Sequence, residues 1–267
     1  FTGASSTEKV SASSSISLTV IVKLLGTYEM PVTNGLQFWF DATDPNGDGT
    51  VPADGTDLTT WKDKSSHGRD ATGGTAPIYR STGINGKGSI EFYGDKYLPV
   101  SGGNFVIKEY ISIFKSKEDR FNLYGAVVGA RGNELGFMYQ SSTYNSEFPP
   151  VKIFKDGAEV PYDLPDDYSY PTYVNSIFGL GDITQWMVVA EHTNNPDASR
   201  GYDIGRRKGG NVADIDIAEV IAFDRILTDE ERQKITYYLS TKWGLTDQVD
   251  SDADGDSDAN DSTPLPS

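Results

Sequence analysis

Cysteine is missing altogether and histidine nearly so, with His67 and His192 the only two. These gaps remove disulfides, thiolate metal sites and thiol nucleophiles. They leave too few soft ligands for a conventional zinc site, so a bound metal has to be held by oxygen. Neither histidine has the sequence partners of a nucleophilic triad. Basic charge is also short: 23 Lys and Arg stand against 39 Asp and Glu, a net charge of −16. That balance argues against nucleic acid and anionic membranes as partners and favours cations or neutral ligands such as carbohydrate. No apolar run approaches the roughly 20 residues that span a bilayer as a helix, so no membrane insertion is expected.

What is present is β-patterned and acidic. The 267 residues suffice for one large all-β domain or two small ones. Phe1 is expected at the start either of a chain that has lost its leader or of a piece of something longer. Residues 1–15 are Ser-rich and read as a linker or tail. Ile16, Leu18, Val20, Val22 and Leu24 then share one parity, so residues 16–30 read as an N-terminal strand and its exit. Such a strand has three destinations: the main domain, a preceding module, or the edge of a neighbouring subunit, which would give self-association.

The stretch from Gly35 to Asp70 contains the first metal-binding pattern. Leu36, Phe38 and Phe40 alternate with Gln37, Trp39 and Asp41, predicting a strand with one buried face, and Trp61 anchors a return strand. Between them Asp44, Asn46 and Asp48 precede Gly49 in the D-x-N-x-D-G order of a calcium loop, with Thr50 placed to offer its carbonyl at the seventh position. The twelfth position is Gly55, which leaves Asp54 to supply the missing carboxylate. A second and fuller pattern closes the chain. Asp250, Asp252, Asp254, Asp256, Asp258 and Asp261 fall at positions 1, 3, 5, 7, 9 and 12 of the same register, with Gly255 at position 6. Without an ion, residues 247–267 are expected to self-repel and stay extended, unable to contribute to a core; Ca2+ would fold them.

Short strands are predicted at Tyr110 to Phe114, Ala126 to Gly129, Leu135 to Tyr139, Val151 to Phe154, Trp186 to Glu191, Tyr202 to Ile204 and Ile215 to Phe223. Gly and Asp turns separate them, and Asn85-Gly86 marks a hairpin. One helix stands out: Thr228 and Glu231 form a T-x-x-E capping box, Gly244 offers a C-terminal cap, and Ile235, Tyr238, Leu239 and Trp243 make an apolar stripe. The expected fold is an all-β, two-sheet antiparallel jelly-roll sandwich over residues 31–246 with one capped C-terminal helix.

The segments LQFWFDATDP, TTWKDKSSHGRDAT, NGKGSIEFYGDKYL, VKIFKDG, YDIGRR and IAEVIAFDRILTDEERQKITYYLSTKWGL resemble the bacterial laminin-G-like modules of the concanavalin A-like lectin/glucanase superfamily. The tail DSDADGDSDAND is similar to thrombospondin type 3 calcium repeats. The resemblance implies a jelly roll, secretion or surface display, and a role in binding glycans or protein partners, as in adhesins. It transfers no ligand site, because fold likeness alone does not carry function.

Ligand contacts are therefore sought in the loops. Tyr162, Tyr168, Tyr170 and Tyr173 with Asp163 lie in a Pro-bearing segment, and Tyr144 lies in a second one. Aromatic faces stack on sugar rings while carboxylates take sugar hydroxyls; the competing expectation is a loop packed on its own tyrosines. The four tryptophans are expected to pack in the core. Asp214, Asp216 and Glu219 are similar to the E-x-D-x-x-E signature of retaining β-glucanases, which need two carboxylates about 5 Å apart. On a plain strand Glu219 would fall on the opposite face from the two aspartates, so only a bulge would align all three. The alternative is a core strand with acids on its rim, and on that reading the chain is not an enzyme. Three functions are thus in view: a calcium-stabilised adhesion or recognition module, a filament or layer subunit assembled through strand 16–24, and a β-glucanase-like glycosidase.

Overall fold

The computed structural model of the chain describes residues 28–117, 126–131, 136–137, 150–160, 182–193, 199–206 and 212–265. The expected strand at 16–24 and the linker before it lie outside the described residues, as do Tyr144, Tyr162, Asp163, Tyr168, Tyr170 and Tyr173. The strands are β1 (Leu36–Asp41), β2 (Thr60–Trp61), β3 (Ala71–Thr72), β4 (Ile78–Ile84), β5 (Lys87–Phe92), β6 (Leu98–Pro99) and β7 (Glu109–Ser116). They continue with β8 (Val128–Ala130), β9 (Gly136–Phe137), β10 (Pro150–Lys155), β11 (Ala158–Val160), β12 (Met187–Thr193), β13 (Tyr202–Ile204) and β14 (Ile215–Phe223). A single helix, α1 (Asp229–Trp243), follows among the described residues.

These elements form an antiparallel all-β sandwich. The larger sheet has the order β11-β10-β12-β7-β14-β5-β4, the smaller β6-β13-β8-β9, and β2-β3 form a separate ribbon. β14 is the central strand, and all nine of its residues are buried. Along one edge it pairs with β7; along the other it pairs first with β5 through Ile215 to Ile217 and then with β1 through Glu219 to Phe223. Ala218, at the change of partner, accepts a hydrogen bond from Ala42 N at 2.9 Å. Between the sheets, Phe38 packs edge-on to Phe105, with 6.2 Å between ring centroids, and Phe105 packs against Tyr202 at 5.1 Å. Phe40 lies against the fully buried Trp61.

Local chemistry explains the turns that fix this register. Asn85 and Gly86 have φ of 47° and 76°, the left-handed pair that a two-residue type I′ hairpin demands and that Asn-Gly adopts most readily. At α1 the Thr228 side chain accepts from Glu231 N, the Glu231 carboxylate accepts from Thr228 N, and Gly244 closes the helix at φ 69°. All four residues of the predicted apolar stripe are buried.

Two sequence expectations fail here. β1 is buried on both faces, not one, because α1 covers the face that carries Trp39 and Asp41: the Trp39 ring meets Tyr238 edge-on at 6.4 Å. Residues 247–265 of the acidic tail are folded and, contrary to expectation, they join the core. Val249 is fully buried and belongs to the apolar cluster together with Leu245. Backbone bonds from Asp250 N to Asp156 O, from Asp258 N to Val249 O and from Ala259 N to Thr246 O tie the segment down.

Candidate metal centre

The tail becomes a loop because its two ends are fastened separately. At its start Asp250 runs against the β10–β11 turn. Gly157 there has φ 99°, and a Cβ on it would lie 1.6 Å from the Asp250 carbonyl oxygen, so only glycine permits the approach. At the other end Asp258 is buried, its carboxylate accepting from Ser251 N and Ser251 Oγ, both at 2.8 Å, and from Ser240 Oγ of α1. Asp258, expected as a ninth-position ligand, straps the loop to the helix through its bonds to the two serines.

Inside the loop the side chains of its first half converge. The Asp250 carboxylate accepts from Gly255 N at 2.9 Å and from Asp254 N at 3.2 Å, and Gly255 turns at φ 109°. Carboxylate oxygens of Asp250, Asp252 and Asp254 lie within 4.8 Å of one another. Oxygens bound to one Ca2+ at about 2.3–2.6 Å stand no more than about 5 Å apart, so the spacing fits that ion. Asp252 Oδ1 and Asp261 Oδ2 are buried and accept no hydrogen bond, which leaves two anionic oxygens waiting for a partner. Burial, then the charges of Asp254, Asp261 and Asp250, lift the Asp252 carboxyl above its usual range. Asp261 thus adds its charge to the same point. Asp256 is exposed, and its N–H is turned onto Asp254 Oδ1 at 3.0 Å; the seventh position of such a loop ligates through its main-chain oxygen.

The loop at 44–50 repeats the geometry of that first half and then departs from it. Gly49 N donates to Asp44 Oδ1 at 2.9 Å, the counterpart of the Gly255–Asp250 bond. The remaining donors are internal: Thr50 N and Oγ1 bond Asp48 Oδ1 at 2.9 and 2.6 Å, and Asn46 Nδ2 reaches Thr50 Oγ1 at 3.1 Å. The Lys64 ammonium lies 3.5 Å from Asp44 Oδ2, so a side chain already supplies positive charge there. Asp54, expected to complete the loop, is tied to the β4 edge through Oδ1, which accepts from Ser81 N at 2.8 Å and Ser81 Oγ at 3.2 Å. Of the two patterns, the C-terminal one alone brings three carboxylates together.

The carboxylates of β14 are arranged differently again. The register of β14 against β7 shifts between Ile217 and Glu219. Asp216 stands opposite Lys115 and Glu219 opposite Ile113, so the bulge puts both acids on the same face. Asp214 accepts from Gly94 N, and Asp216 pairs with Lys117 at 3.0 Å and Lys115 at 3.6 Å. Glu219 is fully buried beneath α1. Its Oε1 accepts from Trp39 Nε1 and Tyr238 OH at 2.6 and 3.0 Å, and its Oε2 from Lys242 Nζ and Trp243 Nε1 at 2.7 and 2.6 Å. A carboxylate with four donors and no exposed surface has no oxygen free for a glycosidic bond. Lys242 also meets Asp41 Oδ2 at 2.7 Å. Neither Asp41 nor Lys242 carried a signal in the sequence: one sat on the polar parity of a strand and the other at a helix end where the dipole favours cations.

No protein-family model matches this chain, and no curated protein does. Among solved structures, one similarity is to the catalytic domain of a GH87 alpha-1,3-glucanase variant in complex with tetrasaccharides. It has 13% identity and a TM-score of 0.21, and it covers 66% of this chain and 30% of that one. At that score the likeness carries no argument about fold or activity.

Proposed function

We propose that the chain is an extracellular recognition or adhesion module whose β-sandwich is stabilised by Ca2+ in the 250–261 loop and whose ligand is a glycan or a protein surface. The observation that carries this reading is the convergence of Asp250, Asp252 and Asp254 beside the partnerless oxygens of Asp252 and Asp261. Four like charges are gathered where nothing in the described protein neutralises them, and a hard dication answers both the charge and the lone pairs. Millimolar free calcium is a condition of the cell exterior, which suits a site of this open, acidic kind. The tyrosines at 162, 168, 170 and 173 with Asp163, and Tyr144, are the proposed ligand contacts.

Calcium titration of the chelated protein, followed by thermal unfolding, tests the metal. The melting temperature is expected to rise with free calcium, by about 2.7 kcal/mol of stabilisation at a hundredfold excess over Kd, and Asp252→Asn should abolish the rise. Indifference to calcium in the unsubstituted protein would remove the proposal. Retention on glycan and protein arrays that is lost in Tyr168→Ala and Tyr170→Ala tests the ligand.

A further inference from the structure

We propose that Lys242 and Asp41 condense to an intramolecular isopeptide bond between Lys242 Nζ and Asp41 Cγ, with Glu219 as the catalytic acid and base. Three observations carry it. The reacting groups are in place: Nζ lies 2.7 Å from Asp41 Oδ2 and 2.7 Å from Glu219 Oε2. A nitrogen 2.7 Å from a carboxylate oxygen has only a short path to the carbon beside it, which the attack reaches at about 3–3.5 Å from above the carboxylate plane. The site is dry, with side-chain exposures of 3% for Lys242, 2% for Asp41 and 0% for Glu219, and the rings of Trp39, Tyr238 and Trp243 stand 5.4–5.6 Å from Nζ. In water, acid and amine stay as a salt; held in attack geometry, enclosed pairs reach effective molarities of about 10⁵ M or more, and the water they release is not replaced from bulk.

The third observation is that stabilising groups surround the carboxyl carbon. Asp41 Oδ1 accepts from Thr43 N at 2.9 Å and Thr43 Oγ1 at 2.7 Å, an oxyanion hole for the charge that develops there. Asp41 Oδ2, the oxygen to be lost, is held by Lys64 Nζ at 3.0 Å. Lys64 is delivered by its own backbone, whose N–H bonds Trp39 O at 2.8 Å.

The step balances without a co-reactant. The Lys242 ammonium gives one proton to the Glu219 carboxylate, which burial makes more basic than an ordinary one even against the pull of Lys242. Glu219 hands that proton to Asp41 Oδ2, so that the carbon under attack is that of a neutral carboxylic acid. The freed amine then attacks Asp41 Cγ, forming the C–N bond and placing the negative charge on Oδ1, and Glu219 collects a second proton from nitrogen. That second proton follows, the C–Oδ2 bond breaks, and one water leaves. Of the three ammonium hydrogens two are in the water and one remains on the amide, and Glu219 is ionised again.

The test is the intact mass of the full chain, unfolded after purification. The expected mass is one water below that of the sequence, and a peptide digest should contain one branched species joining the segment of residue 41 to that of residue 242. Glu219→Gln and Lys242→Arg are expected to show the full sequence mass. The unsubstituted protein decides the matter even if those variants do not fold. Full mass in a chain that circular dichroism shows to be folded overturns the proposal. So does a lost water that maps to a succinimide at one of the Asp-Gly steps, Asp48-Gly49, Asp54-Gly55, Asp156-Gly157 or Asp254-Gly255.

Discussion

Arg232 and Glu109 show how single residues carry charge inside this protein. Glu109 is fully buried, and its carboxylate accepts from Arg232 Nε at 2.7 Å and from Leu227 N at 2.7 Å. Arg232 is buried with it, its guanidinium 4.1 Å above the Phe154 ring. Removing the cation alone strands a carboxylate in a site that water cannot reach, so Arg232→Ala is expected to cost about 3–5 kcal/mol, read as a lower urea midpoint at unchanged slope. A second residue-scale effect is set by pH. The bidentate Arg225 guanidinium, and then the Thr228 N–H, hold the Glu231 carboxyl down to about 2 from 4.5. Because the folded value is the lower one, its contribution is whole above about 4.5 and drains away as pH falls towards about 2. Glu231→Gln should therefore flatten the acid limb of the stability curve in that window and leave its neutral region parallel to the original. The capping box behind this effect was legible in the letters, since Thr228 and Glu231 are three residues apart. Glu109 and Arg232 were not, because 123 residues separate them.

Between elements, the same few contacts recur as clasps. The hairpin turn at Asn85 caps the far end of α1: Asn85 Nδ2 donates to Trp243 O at 2.8 Å and Gly244 O at 2.9 Å. Two helix-terminal carbonyls lose their donor in Asn85→Ala, expected to cost about 1–2 kcal/mol and to show first as faster amide exchange in the last turn of α1. The β10–β11 turn clasps the acidic loop. In Gly157→Ala the new Cβ has no space against the Asp250 carbonyl, so proteolysis within 250–261 should quicken, and the proposed rise of the melting temperature with calcium should be lost. The sequence marked the hairpin, the helix and the acidic loop as separate objects. That they grip one another depends on which turn lies beside which end, and no local pattern encodes that.

For the molecule as a whole the governing quantity is −16 of net charge, much of it self-repulsive in the compact state. In chelator, raising the ionic strength from about 0.01 to about 0.15 M shortens the screening length from about 30 to about 8 Å. The melting temperature should climb across that range, while the proposed calcium site, titrated calorimetrically, should bind more weakly as the same screening reaches the loop. A melting temperature indifferent to salt would mean that the paired networks, such as Arg80 with Glu91 at 2.6 Å and Lys117 with Asp216 at 3.0 Å, already absorb the repulsion.

By itself the sequence determined what short-range physics can determine: the alternation that makes strands, the left-handed turns, the capped helix, and the calcium-loop register with its glycine at position 6. Only the tertiary structure decided how those parts are used. It buried both faces of β1, because a helix from the other end of the chain covers it. It drew Val249 of an acidic tail into the core, gave Asp258 and Asp54 hydrogen bonds to serines that anchor their loops, and enclosed Asp41, Glu219 and Lys242 in one dry site. In each case burial and charge pairing act between residues far apart in the chain, so their strength is set by folded distance and by the exclusion of water, which the order of residues does not record.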